Sequence, residues 1–215
     1  MKKKPAAKRI AAPKPVPTLH IGDWHNGAEI EIYSYARSLR KAAATLLLKR
    51  QEDPTGRTDW DVCPILLLYR QTLELHLKVL VGDGSPFLKN RNSFSLSQTR
   101  SLPWLAQLVC QVIKAVKWEN EFTCSGIGNL ADFSALVNEV ESLDAAVKAI
   151  HTVRFDPPNS LAIFYRTFNI VEFAKKLDAL LDLLDVTADL LSAAWDLEQD
   201  ERPFPPEVGQ KPTIH

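Results

Sequence analysis

Read for its alternation of hydrophobic and polar positions, the chain is a succession of helices with no stretch of strand-like period. The longest apolar run is Cys63–Val81, CPILLLYRQTLELHLKVLV, interrupted only by Arg70, Gln71, Thr72, Glu74, His76 and Lys78. A helix that is apolar on nearly every side belongs in the middle of a bundle, with other helices packed around it. Charges on such a helix need partners, because an unpaired buried charge is costly. Arg70, Glu74 and Lys78 lie at i, i+4 and i+8 on one face, so the carboxylate is expected to pair with a cation on each side. Asp61 suits the cap of this helix, Pro64 fits its first turn, and Gly82 and Gly84 are expected to end it.

Four further helices follow from the same patterning. The first spans about 26–51 after Asp23, with Ile30, Tyr33, Ala36, Leu39, Ala43, Leu46 and Leu47 as its apolar positions and a basic second half (Arg37, Arg40, Lys41, Lys49, Arg50) read as solvated. The third covers about 101–119, with Leu102, Leu105, Leu108, Val109, Val112, Ile113 and Val116 inward. The fourth covers about 129–150, facing the core with Phe133, Leu136, Val137, Val140, Leu143, Val147 and Ile150. The last runs about 167–199, and its acids Asp178, Asp182, Asp185 and Asp189 form one stripe, expected to face solvent. Pro and Gly mark the connections: QEDPTGRTD at 51–59, a long polar segment at 82–100, the Gly126/Gly128 break, and HTVRFDPPNS at 151–160, where two prolines forbid helix. The expected fold is therefore all-α, a four- to five-helix bundle over 23–200. It lies between a basic Lys/Ala/Pro-rich tail, 1–22, and a Pro-rich tail, 201–215, both expected to be irregular.

Composition refines this picture in two places. The 26 basic and 26 acidic residues cancel, yet six positive charges precede the first acid, Asp23, so the remainder carries a formal charge of −6. An acidic body with a basic arm is a poor general platform for nucleic acid, and the arm is read as a solubilising tail or as a contact for RNA, DNA or an acidic partner. The three cysteines, Cys63, Cys110 and Cys124, are too few and too widely spaced for a disulfide scaffold or zinc knuckle, and Cys63 and Cys110 are expected to be small core residues. With no membrane-length apolar run and no signal-peptide pattern, the expectation is a cytoplasmic protein that does not enter a membrane.

Candidate chemistry is sparse. No nucleophile elbow, Walker loop, H-E-x-x-H or metal-spaced carboxylate cluster occurs. His76 follows Arg70 by six positions, which places the two side chains roughly 120° apart around the helix. A guanidinium can neutralise charge on phosphoryl oxygens, and an imidazole can move a proton at a ribose 2′-hydroxyl without any metal. The alternative is that Arg70 pairs with Glu74 while His76 is a hydrogen-bonded residue of the bundle. His151 and Arg154, at the start of the irregular segment, are either loop components of a site or a helix cap and a partner of carbonyls or of Glu74.

The run PILLLYRQTLELHLK, with Arg70-Gln71 followed by Glu74, His76 and Lys78, resembles the central helix of HEPN-like helical proteins. The preceding helix with Tyr33, Tyr35, Ala36, Arg37, Ala42, Ala43 and Leu46 is similar to their first helix, and Val153–Pro157 resembles an element that follows their fourth. The resemblance covers roughly residues 24–190 and implies a bundle that commonly dimerises. It also implies an R-x4–6-H motif, here Arg70 and His76 with Gln71 after the arginine, that two protomers assemble into a metal-independent, cofactor-free ribonuclease site. Such proteins serve in toxin–antitoxin, CRISPR or anti-phage defence. Two functions follow as expectations. One is a dimeric RNA endonuclease using Arg70 and His76, supported by Gln71, Glu74, Lys78, His151 and Arg154. The other is a non-catalytic module of the same fold that binds a partner protein or a nucleotide-bearing ligand, as a regulatory or accessory subunit of a defence or toxin–antitoxin assembly. The endonuclease requires both residues to reach an open cleft or dimer interface.

Overall fold

The computed structural model describes residues 28–52, 62–88, 99–153 and 169–200. They form five helices: α1 (Ala28–Glu52), α2 (Val62–Gly84), α3 (Leu102–Val116), α4 (Leu130–Val153) and α5 (Ile170–Asp200). The all-α expectation holds. The nearest thing to a strand among the described residues is a single antiparallel bridge between Cys124 and Ile127 in the α3–α4 connection. The expected caps Asp23 and Asp61 and both tails lie outside the described residues.

Helix α2 is the hub, touching each of the other four helices. Its Ile65, Tyr69, Leu73, Leu77, Leu80 and Val81 are fully buried, as a helix apolar on most sides requires, although Leu67 remains exposed. Residues paired across α2 and α5 keep a nearly constant offset: Tyr69 meets Asp178, His76 meets Asp185, and Phe87, just past α2, stacks edge-on against Trp195. The two helices therefore run parallel, and α1 runs antiparallel to both, with Tyr33 against His76 and Arg40 against Asp178.

Local signals place the helix ends. Ser101 caps α3 by accepting from the Trp104 amide, with Pro103 in the first turn. Lys117 closes α3 in the left-handed conformation at φ 61°, where its amide donates to the Ile113 and Lys114 carbonyls. Asn129 caps α4 by accepting from the Ala131 and Asp132 amides, while Asp132 reaches back to the Gly128 amide. Asn169 does the same for α5 through the Val171 and Glu172 amides. Gly126, at φ 89°, supplies the positive angle in the turn between Cys124 and Ile127.

Three expectations about ends and faces are corrected. Gly82 lies inside α2, whereas Gly84 is its last residue, as expected, and Ser85-Pro86-Phe87 follows as a single 3-10 turn. Gly84 is in ordinary right-handed helix. What requires glycine there is space, since a Cβ would overlap the Val112 side chain of α3. Helix α4 continues to Val153, so His151 is helical rather than part of the irregular segment. Cys63 and Cys110 are half-buried at the margin of the core rather than within it.

Candidate functional site

The polar residues of α2 divide between two faces. On the face toward α4, Arg70 lies under the bundle surface with its side chain only 8% exposed. Its Nη1 donates to Glu74 Oε2 at 2.6 Å, and its Nη2 to the Arg100 carbonyl at 2.7 Å and, at a longer 3.5 Å, to Glu141 Oε2. Its Nε lies 3.1 Å from Asp144 Oδ2, an ionic contact without a hydrogen bond's angle. Glu74 Oε1 accepts from Lys78 at 2.8 Å, so the carboxylate is held by a cation one turn before and one turn after, as the spacing predicts. Asp144 is held in turn by Lys148 at 2.5 Å. Among the described residues, three cations (Arg70, Lys78, Lys148) and three acids (Glu74, Glu141, Asp144) form one network. Burial of charge in such a place is tolerable only because each charge is answered.

His76 points to another neighbourhood, between α1 and α5, with its side chain 1% exposed. Its Nδ1 is 2.8 Å from the Thr72 carbonyl, which can only accept, so that nitrogen is the donor. Nε2 lies 3.0 Å from Asp185 Oδ1, again in ionic contact rather than a straight hydrogen bond. The Tyr33 ring meets the imidazole edge-on at 6.1 Å. Burial raises the Asp185 carboxyl, but its contact with His76, helped by Arg37 and Arg40, outweighs that and holds the carboxyl below the usual range. Burial, then the acids Asp83, Asp185 and Asp189, push the Tyr33 phenol well above its ordinary value.

A third cluster was not anticipated. Arg40 donates through Nε to Asp178 Oδ1 at 2.7 Å, through Nη1 to Asp182 Oδ1 at 2.6 Å, and through Nη2 to the Asp178 carbonyl at 3.1 Å. Tyr69 donates to the other Asp178 oxygen at 3.1 Å. Burial disfavours the Arg40 charge, but its bonds to Asp182 and Asp178 outweigh that and hold the guanidinium more firmly protonated than usual. The acidic stripe of α5 is thus not a simple solvated face. Asp178, Asp182 and Asp185 join α5 to α1 and α2. A signal for this was present: Tyr69 and His76 are seven residues apart on α2, as are Asp178 and Asp185 on α5. Matching seven-residue spacings of donors and acceptors are what two parallel packed helices need.

Arg70 and His76 are accordingly not brought together within the chain. Among the described residues, every side-chain partner of one differs from those of the other. Gln71 is half-buried beside Arg70. Arg154 lies outside the described residues, and Glu74 and Lys78 serve the network rather than an open surface. Among the described residues no group of three His, Cys, Asp or Glu side chains is placed to hold a metal ion, and no helix is long and apolar enough to cross a membrane. Comparison with protein-family models, with curated proteins and with solved structures returned no match.

Proposed function

We propose that this chain is a non-catalytic helical binding module, a regulatory or accessory subunit of a larger protein assembly built on a HEPN-like bundle. The observation that carries this reading is that the guanidinium nitrogens of Arg70 and both ring nitrogens of His76 are already directed at groups of the protein itself. Cleavage of RNA by an arginine–histidine pair needs a guanidinium turned to a phosphate and an imidazole nitrogen turned to the 2′-hydroxyl or the leaving oxygen. A phosphate brought to Arg70 would meet Glu74, Glu141 and Asp144, whose negative charges repel it. The formal −6 of residues 23–215 works in the same direction, since a nuclease groove relies on concentrated positive charge. The resemblance of the LYRQTLELHLK helix points to a defence or toxin–antitoxin assembly as the setting.

The rival is a metal-independent RNA endonuclease acting as a homodimer. It requires Arg70 and His76 to leave these partners and meet across two protomers. The deciding experiment incubates single-stranded and total RNA with the full chain in EDTA, beside Arg70→Ala and His76→Ala variants matched for helicity. No cleavage above background is expected. Cleavage by the wild type that both variants lose would overturn the binding-module reading.

A further inference from the structure

Among the described residues, helix α5 carries, beside the face buried in the bundle, a second apolar face that the core touches at Leu183. Leu177, Leu181, Leu184, Ala188 and Leu191 are buried against the core. Leu183, Val186, Leu190, Ala193 and Leu197 recur at alternating steps of three and four residues. At about 100° per residue they form a second stripe nearly opposite the first. Such a 3-4 repeat is the seam with which one helix meets another. Val186, Leu190 and Leu197 are 56%, 52% and 67% exposed, the kind of contiguous apolar surface that isolated soluble helices do not keep bare. The seam is also the wall of a groove. Trp118, Glu121 and Phe122 of the α3–α4 connection stand across from Leu183, Val186 and Leu190, and together they line a half-open groove of about 280 Å³.

Charge says what fits there. Between Leu177 and Asp200, α5 contains seven acids and no Lys or Arg. Asp178, Asp182 and Asp185 are answered by Arg40 and His76. Farther along, Asp189 and Asp196 are exposed, and they continue the seven-residue spacing of Asp182 along one edge of the seam. Glu121 lies on the opposite wall of the groove. A second copy of α5 would fit poorly. Antiparallel pairing opposes this aspartate edge to itself, and parallel pairing needs the other edge of the seam, where Thr187 is already buried in the bundle with its hydroxyl donating to the Leu183 carbonyl.

We infer that the groove between α5 and the α3–α4 connection docks an amphipathic helix of a different protein, with apolar residues at 3-4 spacing and Lys or Arg along its edges. The seam from Leu183 to Leu197 is about 21 Å long, enough for roughly four turns of partner helix. The bound helix would insert its apolar side chains between Val186, Leu190 and Trp118 while its cations lie over Asp189, Asp196 and Glu121. This deepens the binding-module reading and rests on it for biological meaning, but the surface can be tested separately.

The probes are three fluorescein-labelled synthetic helices with the same Leu seam, flanked by Lys, by Gln or by Glu, titrated into the full chain and followed by anisotropy. The Lys helix is expected to saturate at one per chain and to weaken as salt is raised. Replacing Val186 and Leu190 together by Ser should weaken it by about tenfold or more, with helicity unchanged. Asp189→Asn with Asp196→Asn should weaken the Lys helix and leave the Gln helix unaffected. Equal binding of the Lys and Glu helices, no saturable binding, or full binding by the Ser variant would overturn the inference. So would a wild-type dimer in light scattering that the Ser variant converts to monomer, since that assigns the face to a second copy. RNA cleavage in EDTA together with intact Lys-helix binding would sink the binding-module reading and leave the groove standing. Absence of both would do the reverse.

Discussion

His76 Nε2 lies 3.0 Å from Asp185 Oδ1, seven residues along both helices from the bond between Tyr69 and Asp178. That repetition makes the α2–α5 interface a polar ladder set beside an apolar seam, and it gives the histidine of the R-x5-H pair a packing role. With Nδ1 donating to the Thr72 carbonyl, the contact with Asp185 attracts most when Nε2 also carries a proton.

The pair should behave as a coupled unit. His76→Ala is expected to lower stability by about 1–3 kcal/mol, because it leaves a partly buried acid and the Thr72 carbonyl without this partner. In a double-mutant cycle with Asp185→Ala, followed by urea unfolding, the coupling should exceed about 0.5 kcal/mol. Additive losses would mean that the two side chains contribute independently.

Acid should weaken the same interface. The Asp185 carboxyl is held below its ordinary value in the folded chain, so above the unfolded value, near 3.9, its contribution to stability is present in full. As pH falls from there through the depressed folded value, the unfolded state takes up the proton first and that contribution is lost. Asp185→Asn should therefore flatten the stability profile below about pH 4. An NMR titration placing the Asp185 carboxyl at or above the ordinary value would contradict this.

Arg70 answers three carboxylates, and its removal takes this cation from Glu141 and leaves Glu74 and Asp144 with Lys78 and Lys148 alone. Arg70→Ala is expected to destabilise the bundle by about 3–5 kcal/mol, the range for breaking a buried ionic network by taking out one member. Glu74→Ala should also destabilise, since it strips a partner from both Arg70 and Lys78. Chemical denaturation that leaves the Arg70→Ala midpoint within error of wild type would show that the network contributes little.

At the α2–α3 crossing, Gly84→Ala drives a methyl group into Val112. The expected loss is about 1–3 kcal/mol, typical of overpacking a closed interface. Val112→Ala in the same chain should return part of it. A thermal midpoint for Gly84→Ala equal to wild type would mean that the two helices separate without penalty.

Much of this architecture was legible in the chain. Helix number, the central place of the Cys63–Val81 run, the inward faces of α3 and α4, and the Arg70–Glu74–Lys78 ladder all follow from short-range spacing, because 3.6 residues per turn decides which side chains share a face. Helix ends were less legible. Gly84 ends α2 as its composition predicts, but Gly82 does not, and what keeps Gly84 small is Val112, a residue distant in sequence.

What the sequence by itself determined is the set of amphipathic helices and the local pairs within each of them. The tertiary structure decided which polar stripe meets which. A row of aspartates at helical spacing reads the same whether it faces water, Arg40 on α1 or His76 on α2, since spacing fixes direction around one axis and carries no information about the neighbouring one. The same holds for Arg70 and His76: their separation along α2 was plain in the sequence, but only packing sent one toward α4 and the other toward α1 and α5.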